Sequence, residues 1–197
     1  MVRELRFSNL TEVEGELDRL VRARDVQTSG VWSYSQILNH TAETIEHSMS
    51  RYPQLMPAVI RKTVGHWFFE RMARRGYMEK GKFNPSAPKK HADGDEAAAM
   101  KRLRQALKTF RSYEGSMAVH PIYDQLKKSD FEKLHSMHIA NHLSFVEPVQ
   151  HSQMDSKSKR STISGTSSKG KPGKLTSKGK PARKAKGLAK KSVKKRK

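Results

Sequence analysis

The sequence predicts an all-α protein: a helical bundle over residues 1–150, followed by a disordered, Lys-rich tail over residues 151–197. Three observations carry that expectation. Before position 150, apolar residues recur at three- and four-residue spacing between clear stop signals, the period of a helix with one buried face. No segment sustains the apolar–polar alternation of a strand. Near residue 150 the aromatics end and Lys, Ser, Gly and Pro take over, a composition too poor in apolar surface to offset the entropy of ordering a chain.

The first helix is expected over Leu10–Arg24, with Asn9 or Thr11 near its N-cap and Leu10, Val13, Leu17, Leu20 and Val21 at inward spacing. A break at Gly30 precedes the second helix, which opens within "WSYSQILNHTAETIEHSMSRYP". Ser33 caps it, Ile37, Leu38, Thr41, Ile45 and Met49 form its apolar stripe, and Pro53 marks its end. A third helix spans Pro57 to Arg74, with a proline suited to a first turn and Gly76 as the stop. Within it, "GHWFFERM" places Trp67, Phe68 and Met72 on an expected inner stripe, read as core. The next segment, "GYMEKGKFNPSAPKKHADGD", is a loop of about twenty residues, a length that in a compact domain signals function or mobility. A fourth helix, Asp95 to Tyr113, starts with acidic residues that complement the positive end of the helix dipole and closes at Gly115. The last, "KSDFEKLHSMHIANHLSF", reads as an amphipathic helix with Ser129 and Glu132 as a capping box and an end near Pro148.

The formal charge of +21 is unevenly spread. Residues 151–197 hold 17 Lys and Arg against one acid, Asp155, whereas residues 1–150 are only mildly basic. A flexible polycation of this density binds polyanions by releasing their counterions, so DNA or RNA is the expected partner. The residues expected to do so are Lys178, Lys180, Arg183, Lys184, Lys186, Lys190, Lys191, Lys194, Lys195, Arg196 and Lys197. With no aromatic to stack on a base, the tail would not read sequence. An anionic membrane surface or an acidic protein are the other partners that such charge attracts. The chain has no cysteine, which excludes disulfides, thiolate nucleophiles, Fe–S clusters and Cys-bound zinc, so that any metal must sit on His and carboxylates. The charged N-terminus does not read as a signal peptide, and no run of about 18 apolar residues suggests a membrane span. Together with the absence of cysteine, this predicts a cytoplasmic protein, associated with the nucleoid through its tail.

Three histidines in eight positions, His135, His138 and His142, interrupt the last helix. Residues four apart share a helix face about 5–6 Å apart at Cβ, so His138 and His142 can reach one metal ion, and His135 lies too far from His142 to complete the set. His40, at an inward position of the second helix, is the first candidate for a third ligand, with His47 in reserve. An i, i+4 histidine pair is equally what hydrogen-bonded core or surface histidines look like. Candidates for a supporting role are Glu43, Glu46 and His135 beside the ligands, with Asn141 as a substrate contact and His120 at a pocket rim.

"GVWSYSQILNHTAETIEHSM", followed about 100 residues later by "LHSMHIANHLSF", resembles the DinB/YfiT-like superfamily of metalloenzymes. In particular it resembles the subfamily called domain of unknown function 1569, through the "RELRFSNL" opening and the "AVHP" turn. The resemblance covers residues 3–147 and implies a four-helix bundle, here with an additional short helix, carrying a metal on His40, His138 and His142. It also implies Trp32 at the Trp-Ser helix start, an ion such as zinc, nickel or iron with open coordination positions, and a metal-dependent transferase or hydrolase acting with a low-molecular-weight thiol. The tail resembles those of linker histones and bacterial histone-like proteins. A non-enzymatic reading stands beside this one, in which the bundle is a dimerising scaffold for a nucleic-acid-associated protein and its histidines are structural.

Overall fold

A computed structural model describes residues 2–23, 25–80 and 91–149. The basic tail and the centre of the long loop lie outside the described residues. The order of elements is α1 (Leu10–Arg22), β1 (Val26–Thr28), α2 (Tyr34–Met49), then α3 (Ala58–Ile60), a π-helical segment (Arg61–Gly65) and α4 (His66–Arg75) running on as one rod, α5 (Glu96–Ser112), α6 (Lys128–Leu143) and β2 (Val146–Pro148). The described chain is mostly helical, and among the described residues no helix is long and apolar enough to cross a membrane.

Helix starts follow local chemistry. Asn9 Oδ1 accepts from the backbone N–H groups of Thr11 and Glu12, two of the donors that a first turn leaves unsatisfied. At α2 the cap is reciprocal, Ser33 Oγ accepting from Gln36 N–H and Gln36 Oε1 accepting from Ser33 N–H. Asp95 accepts from Ala97 and Ala98 at the start of α5. The expected box at α6 sits elsewhere: Lys127 is the N-cap and Asp130 accepts its N–H, because the helix begins two residues before Ser129 would allow. Gly76, at φ 72°, ends α4 in the left-handed conformation that glycine adopts without penalty.

The core gathers around α2, which packs most extensively on α5 and also on α6, while α1 lies against α6. Leu38, Ala42 and Ile45 of α2 meet Leu103, Leu107 and Phe110 of α5, Phe131, Ile139 and Leu143 of α6, and Val13 and Leu17 of α1, all fully buried. Each of these side chains other than Ala42 contributes about 1.5–3 kcal/mol relative to exposure. Contrary to the amphipathic reading, α6 is buried nearly all round, at Phe131, Leu134, His135, Ser136, Met137, Ile139, Ala140 and Leu143. Arg102 of α5 grips both carboxylate oxygens of Glu46 and donates to Asn39 Oδ1, locking α2 to α5. Arg3 donates to Glu16 and to Leu143 O, tying the N-terminal segment to α1 and to the end of α6.

Several expectations need correction. A short antiparallel ladder is present, pairing Val26 with Pro148, Gln27 with Glu147 and Thr28 with Val146; three-residue strands are too brief to show alternation. It forms because α6 stops at Leu143, five residues before Pro148, and so returns the chain alongside the segment after α1. α1 ends at Arg22, and Val21 is exposed. Trp67 and Phe68, expected inside, are each 52% exposed, and Phe69 is the buried member of that run. The rod is held on its other face. Arg61 pairs with Asp124 and donates to Met56 O. Gly65 passes so close to the 120–124 turn that a Cβ there would lie 1.8 Å from Ile122 O.

Candidate metal centre

α2 and α6 bring His40, His138 and His142 together, with one potential ligand atom from each lying within 4.8 Å of the others. Ring centroids are 5.1 Å apart for His40–His138, 4.8 Å for His40–His142 and 4.6 Å for His138–His142, all steeply inclined. The geometry follows from helical period: His138 and His142 are one turn apart on α6, and α2 presents His40 from the facing helix. His40 is buried, and His138 and His142 are half-buried as residues. Trp32 walls the group, edge-on to His40 at 4.9 Å and tilted over His142 at 5.5 Å.

Protonation favours ligation. Burial first, and then the neighbouring His142 and His91, push His40 down to about 3. Burial brings His142 down to about 4 and, with its histidine neighbours, holds His138 well below the ordinary imidazole value. All three are neutral at neutral pH, the form that binds metals. His138 can be assigned a tautomer. Thr44 Oγ1 donates to Thr41 O, so toward His138 Nδ1, 3.3 Å away, it is the acceptor. The proton is therefore on Nδ1, and the Nε2 lone pair of His138 is free. His40 Nδ1 is buried without any hydrogen-bond partner, a state that costs about 1–3 kcal/mol unless something coordinates it or accepts its proton. This set of neutral nitrogens, one of them orphaned, fits a divalent cation of the kind that takes imidazole ligands.

The supporting residues differ from those expected. Glu43 lies 3.1 Å from His91 Nε2, a histidine of the segment before α5, and Glu46 is engaged by Arg102. Neither carboxylate partners a member of the triad. Thr44 does, four residues after His40 on the same face of α2, a spacing that was readable in advance. His91 follows a stretch of sequence without helical or strand periodicity, and no local signal marks it. His135 belongs to a different environment: its Nε2 lies 3.0 Å from Ser48 Oγ, which donates to Ile45 O, and its ring packs on Phe131 and Phe110. Asn141 donates one amide N–H to Met78 O, holding the chain after α4 against α6. His47 packs on Tyr52, and His120 is stacked on Tyr123 in the 120–124 turn, where its Nδ1 accepts from Ile122 and Tyr123 N–H. The tail lysines and arginines lie outside the described residues.

Compared with known proteins, residues 1–149 match the family described as "Protein of unknown function (DUF1569)". No curated protein and no solved structure matches the chain.

Proposed function

We propose that this chain, which belongs to the DUF1569 family, binds one divalent metal ion on His40, His138 and His142 and is a metal-dependent transferase or hydrolase. The observation that carries the reading is the convergence of three neutral imidazoles, one with an orphaned buried nitrogen, beneath the Trp32 ring. A zinc, nickel or iron ion so held would lower the pKa of a bound thiol or water and so supply a nucleophile at neutral pH; in a cysteine-free chain a thiolate can come only from such a bound thiol. The protein's own part is to keep the imidazoles unprotonated by burial, to fix the His138 tautomer through Thr44, and to wall the site with Trp32. A low-molecular-weight thiol is the proposed co-substrate, and the four-helix, DinB-like architecture the proposed superfamily. Elemental analysis of the purified protein tests the reading. About one divalent ion per chain, lost in the His40→Ala/His138→Ala/His142→Ala variant with helical content retained, supports it. No ion after incubation with zinc, nickel and iron overturns it.

The non-enzymatic reading, a nucleic-acid-associated protein on a helical scaffold, rests on the charge of residues 151–197. Nucleic-acid binding by that tail is compatible with either function, and so are nucleoid association and a homodimer. Deleting residues 152–197 should abolish DNA retention at low salt and leave the melting temperature of the helical part unchanged. Equal retention by the shortened chain removes the tail as the anchor.

A further inference from the structure

The rod formed by α3, the π-helical segment and α4 has two faces. One is fastened to the 120–124 turn through Arg61 and Gly65 and buries Phe69. The other exposes Val59, Ile60, Val64, Trp67 and Phe68, at 75%, 40%, 53%, 52% and 52% of their surface; Ile60, Val64, Trp67 and Phe68 recur at three- and four-residue intervals and Val59 adjoins Ile60 in sequence. Five large apolar residues held toward water on one rod, with the Trp67 and Phe68 rings in contact, are more than scattered surface hydrophobes explain. The same rod carries Arg61, Lys62, Arg71, Arg74 and Arg75 against a single acid, Glu70. Arg61 is used inward, Arg74 lies 3.7 Å from Glu70, and Arg75 is paired with Glu79. Lys62 and Arg71 meet no carboxylate among the described residues, and the Arg71 guanidinium stands 5.7 Å from the Trp67 ring centre.

We infer that this face docks onto an anionic lipid surface, with the Val64, Trp67 and Phe68 side chains entering the headgroup–acyl boundary and Lys62 and Arg71 meeting lipid phosphates and carboxylates. Charge decides between the occupants. A second copy of the chain would bring another rod with the same cationic excess and the same lack of free carboxylates, leaving Lys62 and Arg71 unpaired or mutually repelling. The tail of the chain is itself a polycation. An anionic bilayer supplies both requirements at once, apolar depth for the aromatic stripe and negative charge at its border, and Trp and Phe beside Lys and Arg is the composition of helices that lie in that interface. The inference is independent of the metal reading, because the rod contributes none of the three triad histidines.

Trp67 itself is the probe. In the full-length Trp32→Phe variant it is the single tryptophan. Vesicles of phosphatidylcholine with about one third phosphatidylserine should shift its emission to the blue and expose it to quenching by brominated acyl chains, whereas pure phosphatidylcholine should do so about tenfold more weakly. Because the tail alone can adhere to anionic vesicles, sedimentation is repeated in about 0.5 M salt, where charges are screened beyond roughly 4 Å. Retention there by the parent and its loss, by about tenfold or more, in Val64→Glu/Phe68→Glu identifies the rod as the attachment. Both substitutions are at exposed positions, and circular dichroism verifies that the variant is folded. Three results overturn the inference: vesicle binding without a change in Trp67 emission, which assigns attachment to the tail; equal retention by the double variant; and a blue shift that depends on protein concentration in the absence of lipid, which assigns the face to a second copy.

Discussion

Thr44 is the residue whose replacement most directly tests how the triad is held. Its hydroxyl donates to Thr41 O at 2.8 Å and accepts from His138 Nδ1 at 3.3 Å. Thr44→Val keeps the shape and removes the acceptor. Two outcomes are then open to His138. It can keep its proton on Nδ1 and leave a buried donor unsatisfied, at about 1–3 kcal/mol, or move the proton to Nε2 and surrender the lone pair proposed to hold the metal. Since about 1.4 kcal/mol is a factor of ten, either route weakens metal binding by about 10–100-fold, the usual consequence of removing a group that orients a metal ligand. Competition against a chromophoric chelator, with zinc as the probe, measures the change. Thr44→Ser retains an oxygen at the same place and should recover most of the affinity. An affinity within about twofold of wild type in Thr44→Val, or a Ser variant as weak as the Val variant, would refute the argument that this hydroxyl sets the tautomer.

Other consequences follow from the packing. Gly65→Ala drives a Cβ onto Ile122 O and must lift the rod from the 120–124 turn, so urea denaturation should reveal a loss of about 2–4 kcal/mol; a loss below about 0.5 kcal/mol would mean that this contact is dispensable. His120 and His135, which lie outside the triad, are each pushed by burial down to about 3 from the ordinary 6.5. Because the unfolded chain takes up their protons first, the stability they preserve is complete above about pH 6.5 and drains away as pH falls toward about 3, by roughly 1 kcal/mol per histidine at one unit below 6.5. Denaturation midpoints at neutral and mildly acid pH should show this fall in metal-free protein, and His120→Gln should make it shallower. The Glu46–Arg102 clamp is more than a third exposed, so Glu46→Gln should cost below about 1 kcal/mol and leave metal affinity unchanged, whereas loss of metal would tie Glu46 to the site after all.

Helix positions were legible wherever chain-local signals act. Asn9, Ser33, Asp95 and Gly76 each satisfy or relieve backbone groups within four residues of themselves, and those boundaries are observed nearly where expected. Where a boundary depends on something distant, the local reading failed. α6 stops at Leu143 because the chain turns to pair with residues 26–28, a partner more than a hundred positions away. Phe68 is the same residue type as Phe69 and Trp67 is likewise a large aromatic, yet of the three only Phe69 is buried, and the direction in which the rod is fastened is set by Arg61 and Gly65 meeting the 120–124 turn.

The site divides along the same line. By itself the sequence determined that any metal would sit on imidazoles and carboxylates and not on thiolates, that His138 and His142 share a helix face, and that His40 sits on an inward stripe; these follow from an absent residue type and from the 3.6-residue period. Only the tertiary structure decided that the three meet, because the approach of α2 to α6 is a matter of side-chain packing across the core. It alone decided that Thr44 rather than Glu43 supports His138, since hydrogen bonds act over about 3 Å and the carboxylate is turned toward His91 instead. It decided, too, that His135 serves the core: side chains three residues apart on a helix point about 60° apart, and that difference from His138 suffices to hand its ring to Ser48, Phe110 and Phe131.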